Sequence, residues 1–358
     1  MNFNTVSLKS FRVLLLPFSL LYGAVVIIRN FLYNKNILKS AEFNLPLICV
    51  GNLVTGGTGK SSMVEHLVEL LRPHFKIATL SRGYKRKTKG YVLANENTTA
   101  LDIGDEPMQF HTKFSDIAVA VGEERIVAIP QLLHDRPDTQ AVILDDAFQH
   151  RIVKAGLNIL LAQHGDLYTR DFFLPTGDLR DQRSSAERAD IIVVTKCPAN
   201  LDEEGKSTIR GEINPKKNQQ IFFTTTEYGL PYHIVTHEQR ALREDEILLV
   251  CGIANPAPLK QYLSEHASAS YQLEYNDHHI FRIDDLKDIR KKFSAIATDN
   301  KIIITTEKDA VRLIKFSDQL TELPLYVLPI KHKFLFAEGE QFDKKIVDFI
   351  QYFKMSEA

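Results

Sequence analysis

The chain has 358 residues, 25% charged and 44% hydrophobic, with a formal net charge of -1. This composition excludes a disordered or collagen-like chain, and the length exceeds one ordinary core, so one large or two medium domains are expected. Near-neutrality gives no whole-chain reason to bind nucleic acid, and any basic surface must be local. Cys49, Cys197 and Cys251 stand far apart in apolar stretches without a CxxC pair, which fits a reducing compartment and argues against a cysteine-built zinc site.

At the N-terminus, residues 1–40 carry Lys9, Arg12, Arg29, Lys35 and Lys39 and no acid. Between Arg12 and Arg29 lie the 16 uncharged residues VLLLPFSLLYGAVVII. As a helix they span about 24 Å against a hydrocarbon core of about 30 Å. Pro17 and Gly23 inside the run, and arginines able to snorkel at its ends, predict a membrane-inserted or interfacial anchor better than a full span. No small-x-small cleavage site follows before Lys35, so a signal peptide is not expected.

From residue 46, short β-branched apolar runs alternate with helical patterns, at 47–52, 76–81, 117–121, 141–146, 157–162 and 190–196. The reading is an α/β fold with a doubly wound, mostly parallel sheet covered on both faces. A helix over 60–72 presents Val64, Leu67, Val68 and Leu71 on one face. The basic stretch SRGYKRKTKG (81–90) reads as a loop. Polarity rises over 198–220, with Pro198, Pro215 and KKNQQ, and places the expected boundary there. The chain then divides into an anchor at 1–40, a P-loop core domain at 41–218 and a smaller α/β domain at 219–358. In that last block, strands are expected at 246–252, 301–306 and 324–330. One helix carries Leu286, Ile289, Phe293 and Ile296, and a final helix carries Phe342, Ile346, Phe349, Ile350 and Phe353.

The strongest chemical signal is VGNLVTGGTGKSS (50–62), a strand, a glycine-rich turn and a helix start. Thr55, Gly56, Gly57, Thr58, Gly59, Lys60, Ser61 and Ser62 are the expected nucleotide-binding positions: backbone N–H groups meet phosphate oxygens, Lys60 reaches the β and γ phosphates, and Ser61 holds Mg²⁺. Val54 stands where GxxxxGK[ST] has glycine, so the loop resembles the GGxGK variant. AVILDDAFQH (141–150) ends a strand in two carboxylates, as a Walker B element does, making Asp145 and Asp146 candidate Mg²⁺ ligands. Both motifs together point to a nucleoside triphosphate with Mg²⁺.

Other clusters leave alternatives open. Asp105 and Glu106 of GDEP serve either chemistry or a helix cap. Asp277, His278 and His279 of NDHH form an acid-base pair, a metal site or a solvated loop. Arg180, Arg183 and Arg188 either clamp phosphate or make a solvated face. TEKDAVRL (306–313) reads as a strand-to-helix junction with Asp309 near the cap. A P-loop metallochaperone and a membrane-bound nucleotide sensor compete with a kinase at this level, and Pro198 in TKCP, where guanine recognition wants aspartate, disfavours GTP.

The order GGTGKSS, SRGYKR, GDEP, DDAFQH, LPTGDLRD, TKCP, DHH and TEKDAVRL, behind a basic anchor and up to about residue 313, resembles the tetraacyldisaccharide 4'-kinases of lipid A biosynthesis. The resemblance implies two α/β domains with the active site between them, at the cytoplasmic face of a Gram-negative inner membrane. It implies transfer of the γ-phosphoryl of ATP, with Mg²⁺, to the 4'-hydroxyl of a lipid A disaccharide 1-phosphate, giving lipid IVA. Neither nucleic acid nor an obligatory protein partner is implied. By the same resemblance, Lys60 and Ser61 bind phosphates and Mg²⁺, Asp145 and Asp146 are metal carboxylates, and Asp105 with His278 forms a base dyad on the sugar hydroxyl, while Lys60, Mg²⁺ and an arginine stabilise the transferring group. Arg82, Arg180 and Asp277 are expected at the substrate, and Asp181 stands where the family usually has glutamate. The basic loop at Lys85, Arg86, Lys87 and Lys89 meets anionic head groups or the substrate's 1-phosphate, or is solvated.

Overall fold

Strands that are apolar at every position must be buried on both faces, and the chain achieves this with two sheets. The structure, a computed structural model, describes residues 12–353; Lys9 and the rest of the expected anchor before Arg12 lie outside the described residues. The larger sheet contains β1 (Leu47–Asn52), β2 (Ile77–Ser81), β3 (Val92–Leu93), β4 (Ala118–Val121), β5 (Ala141–Asp145), β6 (Leu157–Gln163), β7 (Ile191–Thr195), β8 (Gln220–Tyr228) and β14 (Ile330–Phe334). Their order is β14-β8-β7-β6-β1-β5-β2-β4-β3. Only the edge strands β3 and β14 run antiparallel to their neighbours. The smaller sheet, β11-β10-β12-β13-β9, contains β9 (Tyr232–His233), β10 (Glu246–Cys251), β11 (Ala269–Glu274), β12 (Lys301–Thr306) and β13 (Leu325–Leu328). The fold is thus α/β with a doubly wound, mostly parallel P-loop sheet and a second, smaller α/β unit.

The expected break between residues 218 and 219 does not follow the sheets. β8 continues the first sheet immediately after it, with Ile221 and Phe223 in the core on one face and Phe222 in the core on the other. The chain leaves for the smaller sheet after Tyr228 and returns as β14. The last helix, Gly339–Gln351, then packs Phe342, Ile346 and Ile350 against the first sheet. The polar stretch at 198–218 belongs mostly to the loop and surface helix Glu203–Ile213, which is a polar excursion within one unit.

The anchor helix runs Leu16–Asn34, with Val13–Leu15 as a 3-10 lead-in. The combined stretch Val13–Asn34 is long and apolar enough to cross a membrane. Leu14, Phe18, Leu20, Leu21, Val25, Ile28 and Phe31 are exposed, whereas Ser19, Gly23 and Asn30 are buried. Its pattern is therefore reversed relative to a helix that packs on a core in water.

Where the two units meet, a buried ion cluster bridges them. Lys113 Nζ lies 2.7 Å from Glu65 and 2.8 Å from Glu307, and the Ile330 N–H donates to Glu307 at 3.2 Å as the chain re-enters the first sheet. Burial, and then the charge of Glu307, push the Glu65 carboxyl up to about 7. Removing the shared cation leaves two buried carboxylates facing each other, so Lys113→Met is expected to cost about 3 kcal/mol of stability, read as a lower urea midpoint. An unchanged midpoint would show that the cluster contributes nothing to joining the units.

Candidate active site

Parallel pairing sets the site's geometry. Val50 of β1 is in register with Asp145 of β5, so the strand end that carries the carboxylates is level with the entry to the glycine-rich loop. This is the carboxyl edge at which open α/β sheets bind ligands. Gly56 and Gly59 have φ of +108° and +88°, conformations that disfavour any side chain, and a Cβ at Gly56 or Gly57 would meet nothing within 4 Å. Beneath the loop, Asn52 Nδ2 donates to Thr58 Oγ1 at 3.0 Å, and Thr195 Oγ1 donates to the Thr58 carbonyl at 2.9 Å. Helix Lys60–Leu71 begins at Gly59 without a side-chain cap, leaving its first N–H groups available to an anion. Thr55, Gly56 and Gly57 are exposed, and Ser61 and Ser62 are half-buried in that first turn.

The two adjacent carboxylates are in different electrostatic states. Asp146, held at a φ of +46°, receives both Nη atoms of Arg180 at 2.8 and 3.1 Å, with Lys60 Nζ 3.8 Å away. Burial would raise its carboxyl, but Arg180 and Lys60 hold it below the ordinary range. Asp145 is buried; among the described residues its carboxylate accepts from Ser81 Oγ at 3.2 Å, and its carbonyl accepts from Arg125 Nη2 at 3.3 Å. Burial, and then the charge of Asp146, push it up to about 6. Burial also pulls Lys60 down, partly offset by Asp146. Asp145 is therefore an anion short of a cation, and a Mg²⁺ shared with nucleotide phosphates fits that deficiency. No cluster of three or more His, Cys, Asp and Glu side chains among the described residues gathers to hold a metal without such phosphates.

Asp105 begins helix Asp105–Lys113, on the first sheet's side of the cleft, and His278 comes from the loop after β11. His278 Nδ1 lies 3.0 Å from Asp105 Oδ2 across 173 residues of sequence. His278 has a φ of +62°. A third group absent from the sequence reading completes the cluster: Arg312 Nη2 is 2.6 Å from the same oxygen and 3.0 Å from His278 Nδ1. Arg312 is oriented by Asp309, which is itself buried and accepts from the Gly252 N–H at 3.0 Å and from Thr306 Oγ1 at 2.7 Å. TEKDAVRL is thus a capped junction that also delivers a guanidinium. Burial would raise the Asp105 carboxyl, but Arg312 and then His278 hold it below the ordinary carboxylate range.

The remaining expected residues divide. Asp277 is exposed, 3.7 Å from His278 Nε2, whereas His279 turns away to Asp285 at 2.9 Å, so DHH forms no metal site. Arg82 is exposed at the end of β2 and makes no hydrogen bond among the described residues. Arg180 faces Asp146 and Asn52 rather than an open substrate surface, Arg183 donates to the Asp171 carbonyl, and Arg188 pairs with Asp181. Arg180 and Arg188 are thus engaged within the protein, whereas Arg183 is exposed. Asp181 is also hydrogen-bonded to Asn30 at 2.6 Å and does not face the Asp145–Asp146 pair. In the basic loop, Arg86 is buried against Glu123 at 2.7 Å, while Lys85, Lys87 and Lys89 are exposed.

His332 is the second residue the sequence reading passed over. Its Nε2 lies 3.0 Å from the Gly59 carbonyl and its Nδ1 3.0 Å from Thr224 Oγ1, and burial pushes it down to about 4, so it is neutral beneath the loop. A cavity of about 340 Å³ lined by Thr112, Lys113, Tyr232, His237 and Glu307, among others, holds none of the expected site residues.

The family model for tetraacyldisaccharide-1-P 4'-kinase matches residues 11–351. A tetraacyldisaccharide 4'-kinase of Flavobacterium johnsoniae is 47% identical over 342 residues, covering 95% of this chain and 97% of its own. One from Bacteroides thetaiotaomicron is 41% identical over 352 residues, covering 94% and 93%. The fold is similar to that of LpxK from Aquifex aeolicus crystallised with ATP, with a TM-score of 0.76 and 28% identity, covering 96% of this chain and 100% of that one.

The unequal carboxylates lead to a direct expectation. In a carboxyl-carbon NMR titration of the ligand-free protein, Asp145 takes up its proton near pH 6, and Asp146→Asn moves that midpoint lower by removing the neighbouring negative charge. An unmoved midpoint would mean that the two carboxylates do not share a field.

Proposed function

The chain belongs to the tetraacyldisaccharide-1-P 4'-kinase family, and on that premise we propose how its side chains divide the work. It is a lipid kinase of lipid A biosynthesis: it uses ATP to phosphorylate the 4' position of the tetraacyldisaccharide 1-phosphate, giving lipid IVA. The observation that supports the assignment of roles is the meeting of Asp105 with His278 and Arg312 between the two units.

Phosphoryl transfer needs positioning and charge neutralisation more than covalent help from the protein. The backbone of residues 55–62 and Lys60 hold the triphosphate, and Lys60 sheds its unfavourable burial by gaining phosphate charge. Ser61 and Asp145 would hold Mg²⁺, which would neutralise phosphate charge, with Asp146 supporting them while paired to Arg180. Asp105 accepts the proton of the sugar hydroxyl, and His278 orients it from across the cleft. Arg312 holds the carboxyl of Asp105 below the ordinary range, at some cost in basicity. Asp277, Arg82 and the exposed lysines of the basic loop are the groups free to meet the sugar and its 1-phosphate.

Two units then share the work: the larger sheet carries the nucleotide and Asp105, the smaller carries His278 and Arg312, and the contact between the two completes the site. The exposed apolar face of helix Leu16–Asn34 holds the enzyme in the inner membrane at its cytoplasmic face, where a lipid acceptor and ATP are both within reach.

Transfer of labelled γ-phosphate to a tetraacyldisaccharide 1-phosphate in mixed micelles tests this reading. Lys60→Ala and Asp105→Ala are each expected to lose about 100-fold or more in turnover. Hydrolysis of ATP without label in lipid would contradict it. For Arg312→Gln the sign follows from the charge: the carboxyl of Asp105 rises once the guanidinium is gone, so the acidic limb of the kcat/KM profile moves to higher pH. An unmoved limb would separate Asp105 from proton transfer.

A further inference from the structure

The apolar side chains of helix Leu16–Asn34 point outward, and the side it turns to the protein is polar or empty. A tether has no use for such an edge, since burying asparagine and serine gains nothing unless they are hydrogen-bonded. Here most of them end on one segment, residues 173–181. Arg12 Nε donates to the Pro175 carbonyl at 2.8 Å and Nη2 reaches the Asp178 carboxylate at 2.9 Å. Ser19 Oγ donates to the Phe173 carbonyl, and Tyr22 Oη to the Arg180 carbonyl at 2.9 Å. Asn30, 0% exposed, donates to Asp181, 1% exposed, at 2.6 Å. Gly23 is required by the same contact, because a Cβ there would lie 2.6 Å from the Phe173 ring.

The opposite side of that segment is bonded to the nucleotide loop. The Thr55 N–H donates to the Asp178 carbonyl and the Arg180 N–H to the Leu53 carbonyl, each at 2.8 Å, and Val54 bridges Leu179. Arg180 then extends its guanidinium to Asp146 and Asn52. A second connection runs from Arg29, which donates to the Gln149 carbonyl at 2.9 Å, while Gln149 Nε2 donates to the Asn52 carbonyl at 2.6 Å. Residues 173–181 are therefore held between the anchor helix and the phosphate loop.

We propose that the anchor helix is a positioning element of the active site: its polar edge, above all Asn30 and Tyr22, fixes the segment that aims Arg180 at Asp146 and braces the entry to the loop. Neither residue touches a reactant; both act through Arg180 and Asp181. The inference rests on Arg180 and Asp146 serving the site as argued above. Turnover then depends on the inward edge of the helix and membrane attachment on its outward face, so the two functions are separable by mutation.

The test measures vesicle flotation on phosphatidylethanolamine and phosphatidylglycerol, together with kcat and lipid KM in mixed micelles, using the full chain. Asn30→Leu keeps the helix apolar and is expected to float like the parent, with kcat lower by about tenfold and lipid KM within about twofold. Leu20→Ser with Leu21→Ser, on the outward face, is expected to do the opposite: weaker flotation and a higher lipid KM, with kcat at saturating lipid within about twofold of the parent. Parental kcat in Asn30→Leu overturns the proposal, as does a loss confined to lipid KM and flotation. If Asn30→Leu does not fold, Tyr22→Phe decides, since it removes one hydroxyl: kcat falls about threefold with flotation unchanged, or stays parental and rejects the proposal. Parental turnover in Arg180→Ala would instead contradict the reading of the site on which the inference rests.

Discussion

The carboxyl of Asp105 is held below the ordinary carboxylate range by groups it does not share a sheet with. Burial alone would raise it, and the two side chains that reverse this, Arg312 and His278, are both carried by the smaller sheet. The electrostatics of Asp105 are therefore set where the two units meet. The ion cluster of Glu65, Lys113 and Glu307 and the return of the chain at Ile330 keep that meeting place fixed, and Glu307 and Arg312 lie on the same helix, Glu307–Leu313. Joining the units and tuning the proposed base thus depend on one short element.

The same economy governs the nucleotide side. Cations there are already engaged: Arg180 and Lys60 neutralise Asp146, while the carboxylate of Asp145 is bonded to a hydroxyl and makes no ion pair among the described residues. A triphosphate with its divalent ion brings the missing charges in the right signs, negative to Lys60 and the helix start, positive to Asp145. The loop itself is held from below by neutral contacts, with Asn52, Thr195 and His332 bonded to its backbone or to Thr58. Rigid support without added charge leaves the field at the phosphates to be set by Lys60 and the carboxylates.

How much of this was legible in the sequence depended on whether the signal was local. Strands such as LICVGN and KIIITT are largely apolar or β-branched runs, and their limits in the fold match the runs closely. The loop, the carboxylate pair and the GDEP helix were likewise readable, because each motif contains its own geometry. β8 was lost behind the polar KKNQQ, and β14, with Lys331, His332 and Lys333 in succession, looks like a surface turn until it pairs with β8. Consequently the expected boundary fell one strand too early and missed the return of the chain to the first sheet. Arg312 and His332 could not be found by spacing, since their partners lie 207 and 273 residues away. Asn30 was hidden for another reason: it follows Arg29 just past the apolar run, where a polar residue needs no explanation, and only its contact with Asp181 gives it a purpose.

The claim on which the rest turns is that Asp105 and His278 act as one unit across the cleft, and a double-mutant cycle on kcat/KM for lipid phosphorylation measures that directly. With Asp105→Asn, His278→Ala and the pair, the account predicts strong non-additivity: each single change costs about 100-fold or more, and the double variant is little worse than the poorer single. Independent losses that multiply in the double variant would show that the two residues serve separate ends, and the shared base would have to be given up.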